Sequence, residues 1–186
     1  VYNQMAQVLM GYNQDGAIQK FDEDGDLTTT GDKLDDVAFL SFSRLLTKDE
    51  IKKGSFELEM GVTTAYATDG SVFGDTIKIL DFGADTSYKV NSPAGEYGIL
   101  YATSSTGAPL DTTSTHTASL SDGNTYWKAG LIYYQAGVAV LTSSVFMGAS
   151  EGGFLNDGNA IWDGSSNSFT GSIENDEISG SANGLR

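Results

Sequence analysis

Gly130-Leu131-Ile132-Tyr133-Tyr134-Gln135-Ala136-Gly137-Val138-Ala139-Val140-Leu141-Thr142 lies in the stretch with the strongest β signal of the chain. Its residues are mostly apolar, aromatic or β-branched, the types that fit a pleated, buried surface. Gly137 interrupts it, as an isolated glycine inside a strand pattern does at a bend. The reading from Leu131 to Phe146 is therefore strand, break near Gly137, and strand again. No apolar run here or elsewhere approaches the roughly 20 residues that span a bilayer as a helix.

Working outward, Tyr97 to Ala102 carries a β signal of similar strength. Phe56, Leu58 and Met60 alternate with Ser55, Glu57 and Glu59, the period of a half-buried strand. Val37 to Leu46, Thr76 to Leu80 and Ser87 to Val90 read as further strands. Asp-Gly pairs at Asp15-Gly16, Asp24-Gly25, Asp69-Gly70, Asp122-Gly123, Asp157-Gly158 and Asp163-Gly164 suit type I′ hairpin turns. Two segments read differently. Thr47 to Lys53 offers a capping box, Thr47 with Glu50, and Gly54 stands at a C′ position; one or two helical turns are expected. In Val1 to Tyr12, Tyr2, Met5, Ala6 and Leu9 recur at helical spacing, while Ala6 to Met10 also suits a strand.

The expected fold is mainly β, with antiparallel sheets in a sandwich-like arrangement, one or two short helices and long Gly/Ser-rich loops. Its core should hold Leu40, Phe42, Phe56, Leu58, Ile79, Ile99, Ile132, Val138 and Val140. Residues 1–147 form the expected β-rich body. Thr103 to Asn124 is an expected loop, and 148–186, dominated by Gly, Ser, Asn and Asp, an expected arm or peripheral extension that is ordered by a neighbour. The chain opens on Val1 and ends abruptly at Arg186, so the natural polypeptide is expected to continue.

Composition narrows the function. The 186 residues include 25 acidic and 10 basic side chains, a net charge of −15. Such a surface repels phosphate, which argues against nucleic acid and anionic membranes as partners. The chain has no cysteine, which removes disulfides, thiolate zinc sites and cysteine nucleophiles.

Asp22, Asp24 and Asp26 resemble the start of a calcium loop. With Gly25 set on the loop glycine, however, Lys20 falls at the first ligand position and Gly31 at the closing glutamate, and neither offers a carboxylate. An acidic hairpin tip is the plainer reading, with an irregular weak cation site as the alternative. Gly148-Ala149-Ser150-Glu151-Gly152 fits a nucleophile-elbow pattern, but no histidine follows it and the next residues are poor helix formers. His116 stands alone in a Ser/Thr-rich stretch. Glu57 and Glu59 share a strand face, which alternation over apolar neighbours explains without catalysis. Lys48, Lys52 and Lys53 with Asp49 and Glu50 form a mixed-charge face suited to solvent or to a subunit contact. Tyr126, Trp127, Tyr133 and Tyr134 could make a sugar platform, though alternation assigns one of each adjacent pair to the core. No catalytic residue, cofactor or metal is expected.

Three stretches carry a resemblance. They are Phe42 to Leu46 running through Lys48-Asp49-Glu50-Ile51-Lys52-Lys53-Gly54-Ser55-Phe56, then Tyr88-Lys89-Val90-Asn91-Ser92-Pro93-Ala94-Gly95-Glu96-Tyr97-Gly98-Ile99-Leu100, and Gly130 to Thr142. Together they resemble virion structural proteins of large contractile-tailed bacteriophages of the cyanophage type. The resemblance runs from about Val1 to Phe146 and fades in the Gly/Ser-rich tail. It implies a non-enzymatic virion component, in the tail or baseplate region, that contacts copies of itself and other virion proteins. It also implies a longer natural chain. A capsid-associated or decoration role is the close variant. An extracellular β-sandwich adhesin or carbohydrate-binding module is the alternative from a different class, and a glycosidase or hydrolase is the enzymatic one.

Overall fold

The computed structural model describes residues 1–28, 30–42, 50–61, 76–104, 106–109 and 116–146, with backbone only at Gly61, Thr76 and Phe146. The protein is mainly β and antiparallel, with two short α-helices. The elements run α1 (Tyr2–Leu9), β1 (Phe21–Asp22), β2 (Lys33–Leu34), β3 (Val37–Ser41), β4 (Glu57–Gly61), β5 (Thr76–Leu80), α2 (Ala84–Ser87), β6 (Tyr97–Ser104), β7 (Thr117–Ser119), β8 (Thr125–Tyr133) and β9 (Val138–Thr142), closed by a 3₁₀ turn at Ser143–Phe146. One sheet has the order β3-β9-β8-β6-β5-β4 with β7 beside β8, and β1 and β2 form a second, two-stranded sheet.

The stretch that opened the reading is an antiparallel hairpin. Leu131 stands opposite Val140 and Tyr133 opposite Val138. The break closes through the Gly137 amide on the Tyr133 carbonyl at 2.9 Å, with Gly137 at φ 65. β9 then pairs with β3, Phe39 opposite Val140.

The chain packs as two units. The first comprises Val1–Phe56, Leu80–Tyr101 and Lys128–Thr142. Its core joins Ala6, Leu9 and Met10 of the α1 segment to Phe21, Leu34, Tyr97, Leu131, Tyr133, Val138 and Val140. Aromatic rings knit it together: Phe21 meets Tyr2 at 5.4 Å and Phe39 at 5.7 Å, both edge to face, and Tyr97 stacks on Tyr133 at 5.1 Å. Such pairs add to plain area burial. Three phenols of this cluster have hydrogen-bond partners, which offsets the cost of burying a hydroxyl. Tyr2 donates to the Leu34 carbonyl at 2.7 Å, Tyr97 to Asn91 Oδ1 at 2.7 Å, and Tyr133 to Met10 Sδ at 2.7 Å.

The second unit draws on Glu57–Ile79, Ala102–Trp127 and the residues from Ser143 onward. Its β7–β8 hairpin sets Thr117 opposite Trp127 and Ser119 opposite Thr125. At its tip, Leu120 and Asn124 close the loop at 2.9 Å while the Gly123 amide bonds the Leu120 carbonyl at 3.0 Å. The same pattern recurs in the first unit at Asn13, Gly16 and Ala17.

Several expectations need correction. The Asp-Gly turns described are not type I′. Gly16, Gly25 and Gly123 have positive φ, but the preceding aspartates do not. At Asn13–Ala17 and Leu120–Asn124 the turn is a three-residue loop with the glycine in the left-handed position. Glu50–Gly54 is a turn, closed by the Ser55 amide on the Lys52 carbonyl at 3.2 Å, and not a helix; residues 43–49 lie outside the described set. Ser87–Val90 is not a strand. The helix α2 ends at Ser87, and Lys89 forms only an isolated bridge with Tyr97. In the Val1–Tyr12 segment the helical spacing prevailed, with Ala6 and Leu9 facing inward. The expected loop at Thr103–Asn124 contains the end of β6 and all of β7, and the expected arm at 148–186 lies outside the described residues. Of the expected core, Phe56, Ile79, Ile132, Val138 and Val140 are buried, whereas Leu40, Phe42, Leu58 and Ile99 are half-buried.

Candidate functional site

Among the described residues the buried carboxylates are Asp22, Glu23 and Asp81, exposed by 2%, 3% and 2%. All three belong to the first unit. A buried carboxylate is costly unless it is paired or hydrogen-bonded, so their partners indicate what they do.

Asp22 ends β1 and faces Lys33 of β2 in register. Its Oδ1 accepts the amides of Asp24 at 3.2 Å and Gly25 at 3.1 Å. Its Oδ2 accepts the Lys33 ammonium, which also donates to the Thr28 carbonyl at 2.6 Å. Burial alone would raise the Asp22 pKa, yet Lys33 and the donors from Asp24 hold it below the usual carboxylate value. Asp24 moves the other way, raised first by its contact with Asp22 and then by burial. Asp26 Oδ1 accepts the Thr28 amide at 2.8 Å and hydroxyl at 2.9 Å. Carboxylate oxygens of Asp22, Asp24 and Asp26 lie within 4.8 Å of one another. Beside them, Glu23 pairs with Lys128 of β8 at 2.8 Å. The Gly25 carbonyl receives Asn91 Nδ2 at 3.0 Å, which fastens the loop to the segment before β6.

Asp81 follows β5. It accepts the Gly54 amide at 2.7 Å, the Phe56 amide at 2.9 Å and the Tyr134 hydroxyl at 3.0 Å. Burial raises its pKa more than these donors lower it. Tyr134 is itself fully buried, and burial followed by the Asp81 charge raises its pKa. Nearby, Lys53 pairs with Glu96 and lies 4.8 Å from the centre of the Tyr88 ring. Chemically these carboxylates serve as acceptors that tie backbone segments to one another.

Of the residues singled out from sequence, Asp22, Asp24 and Asp26 are brought together. Glu57 and Glu59 stand on β4, both exposed, and Glu57 pairs with Lys78 at 2.9 Å. His116 lies 6.0 Å from the Trp127 ring. Ser150, with the Gly148–Gly152 pattern, and Lys48 and Asp49 fall outside the described residues. The sugar platform is overturned, because Tyr126, Trp127, Tyr133 and Tyr134 are exposed by only 4%, 3%, 0% and 0%. Alternation gives one of each pair to solvent only where a sheet has a wet face, and β8 is covered on both sides along most of its length. Asp81 escaped sequence reading, since a single aspartate after a strand carries no motif.

No family model, curated protein or solved structure matches the chain. Among the described residues, no helix is long and apolar enough to cross a membrane.

Proposed function

We propose that the chain is a non-enzymatic structural component of a tailed-bacteriophage virion, in the tail or baseplate region, where it holds neighbouring subunits together. The observation that carries the structural reading is the use of its buried carboxylates. Asp22 and Asp81 accept from the chain's own backbone, lysine or tyrosine, and Glu23 is ion-paired with Lys128. A general acid or base has to reach a substrate proton, and these groups are turned inward to brace loops. The virion context rests on the likeness of the Phe42–Phe56, Tyr88–Leu100 and Gly130–Thr142 stretches to phage structural proteins. All three stretches fall in the first unit. An acidic surface suits a particle component that must not stick to the genome it travels with.

Peptide mass spectrometry of gradient-purified particles, with heads and tails separated, tests this reading. The chain is expected at a fixed copy number in the tail fraction. Recovery with heads would replace the tail role by decoration of the capsid. Absence from purified particles would overturn the proposal.

A further inference from the structure

The β1–β2 connection has a spacing that sequence reading missed. A calcium loop of the EF-hand type takes side-chain ligands at positions 1, 3 and 5, a backbone carbonyl at position 7, a further group at position 9 and a glutamate at position 12, with a glycine bend at position 6. Counting from Asp22 rather than from Gly25 puts Asp22, Asp24 and Asp26 at the first three ligand positions and Thr28 at the carbonyl. The bend falls on Leu27, which has φ 59 and is the one non-glycine residue with positive φ among those described. A leucine in that region is strained by its Cβ, so the loop keeps the bend without the glycine. The twelfth residue is Lys33.

The lysine is not a defect at that position. Its ammonium bonds Asp22 Oδ2, from the first ligand residue, and the Thr28 carbonyl, from the seventh. Those are two of the oxygens that would grip a metal ion. The charge also balances. A glutamate with a divalent cation carries the same net charge as one lysine, so the exchange leaves the site's total unchanged.

We propose that this is a calcium-type loop whose cation is the chain's own Lys33, held by Asp22 and the Thr28 carbonyl, so that the hairpin stays folded without metal. A divalent ion has no place in the loop while the ammonium occupies it. Replacing the lysine by glutamate restores the twelfth ligand and vacates the centre.

The test is thermal unfolding and calorimetric calcium titration of the full chain and of Lys33→Glu. The wild-type chain is expected to unfold at the same temperature in chelator and in millimolar calcium, and to give no binding heat. Lys33→Glu is expected to unfold lower in chelator and to rise by several degrees with calcium, increasingly with its concentration, as for an ion bound only by the folded state. Adding Asp22→Asn should abolish that rise. If Lys33→Glu does not fold in chelator, refolding in calcium is the readout, and failure in both overturns the proposal. Lys33→Gln, which keeps the bulk and loses the charge, should be destabilised in chelator; stability equal to wild type would also overturn it. So would calcium binding by the wild-type loop.

Discussion

Asp81 and Asp22 are both buried carboxylates, yet their environments push them in opposite directions. For Asp81 burial dominates and raises the pKa. Its contribution is therefore fully present below the unfolded value of about 3.9 and is lost as pH rises through the folded value. For Asp22 the Lys33 ammonium and the Asp24 donors outweigh burial and lower the pKa. Its contribution is present above about 3.9 and is lost as pH falls through the folded value. Denaturant unfolding across pH should separate the two. The deficit of Asp81→Asn should grow as pH falls towards about 4, whereas that of Asp22→Asn should hold over that range and shrink only as pH falls below about 4. Parallel pH profiles would contradict these assignments. At neutral pH, Asp81→Asn leaves an amide facing a backbone donor and should cost roughly 1–3 kcal/mol, against about 1 kcal/mol for Tyr134→Phe. Neither residue was legible in the sequence as a strut. Asp81 has no motif, and Asp22 passed for a hairpin tip because its loop carries leucine where glycine is expected and lysine where glutamate is.

The elements were more legible, and the misreadings share a cause. Thr76–Leu80 was read with its boundaries correct, because its alternation matches a strand with one covered face. β8 was read too short and its aromatics as half solvent-facing. Covering both of its faces removes the period-two signal on which such readings depend. Thr47–Lys53 carried a capping signature, but Asp81 holds the following Gly54 and Phe56 amides in place instead. Glycines show how far element geometry constrains the sequence. Gly123 has φ 84 with nothing within 4 Å of a Cβ placed there, so Gly123→Ala should cost only the left-handed conformation, about 1–2 kcal/mol. Gly130 has φ 146, and a Cβ there would come within 1.9 Å of the Val140 carbonyl oxygen in β9. Gly130→Ala should add overpacking of ~1–3 kcal/mol or more to backbone strain. Equal midpoints for the two variants in urea would show that β8 and β9 are not paired in this register.

At the scale of the whole molecule, charge is the dominant property. A net charge of −15 over 186 residues gives self-repulsion that a compact domain tolerates. In the ion pairs Asp22–Lys33 and Glu23–Lys128 the carboxylate is buried and the lysine partly exposed, and removing the lysine strands a buried carboxylate, at a cost of up to about 3–5 kcal/mol. The proposed virion context, and the neighbours it implies, rest on the likeness of three stretches of sequence to phage structural proteins. Exposed lysines such as Lys20 and Lys52 give those neighbours chemical handles. Cross-linking mass spectrometry on intact, purified particles tests the central claim most directly. The account predicts links from these lysines to other copies of the chain or to tail and baseplate proteins. Links confined to single copies of the chain, or no copies in the particle, would contradict it.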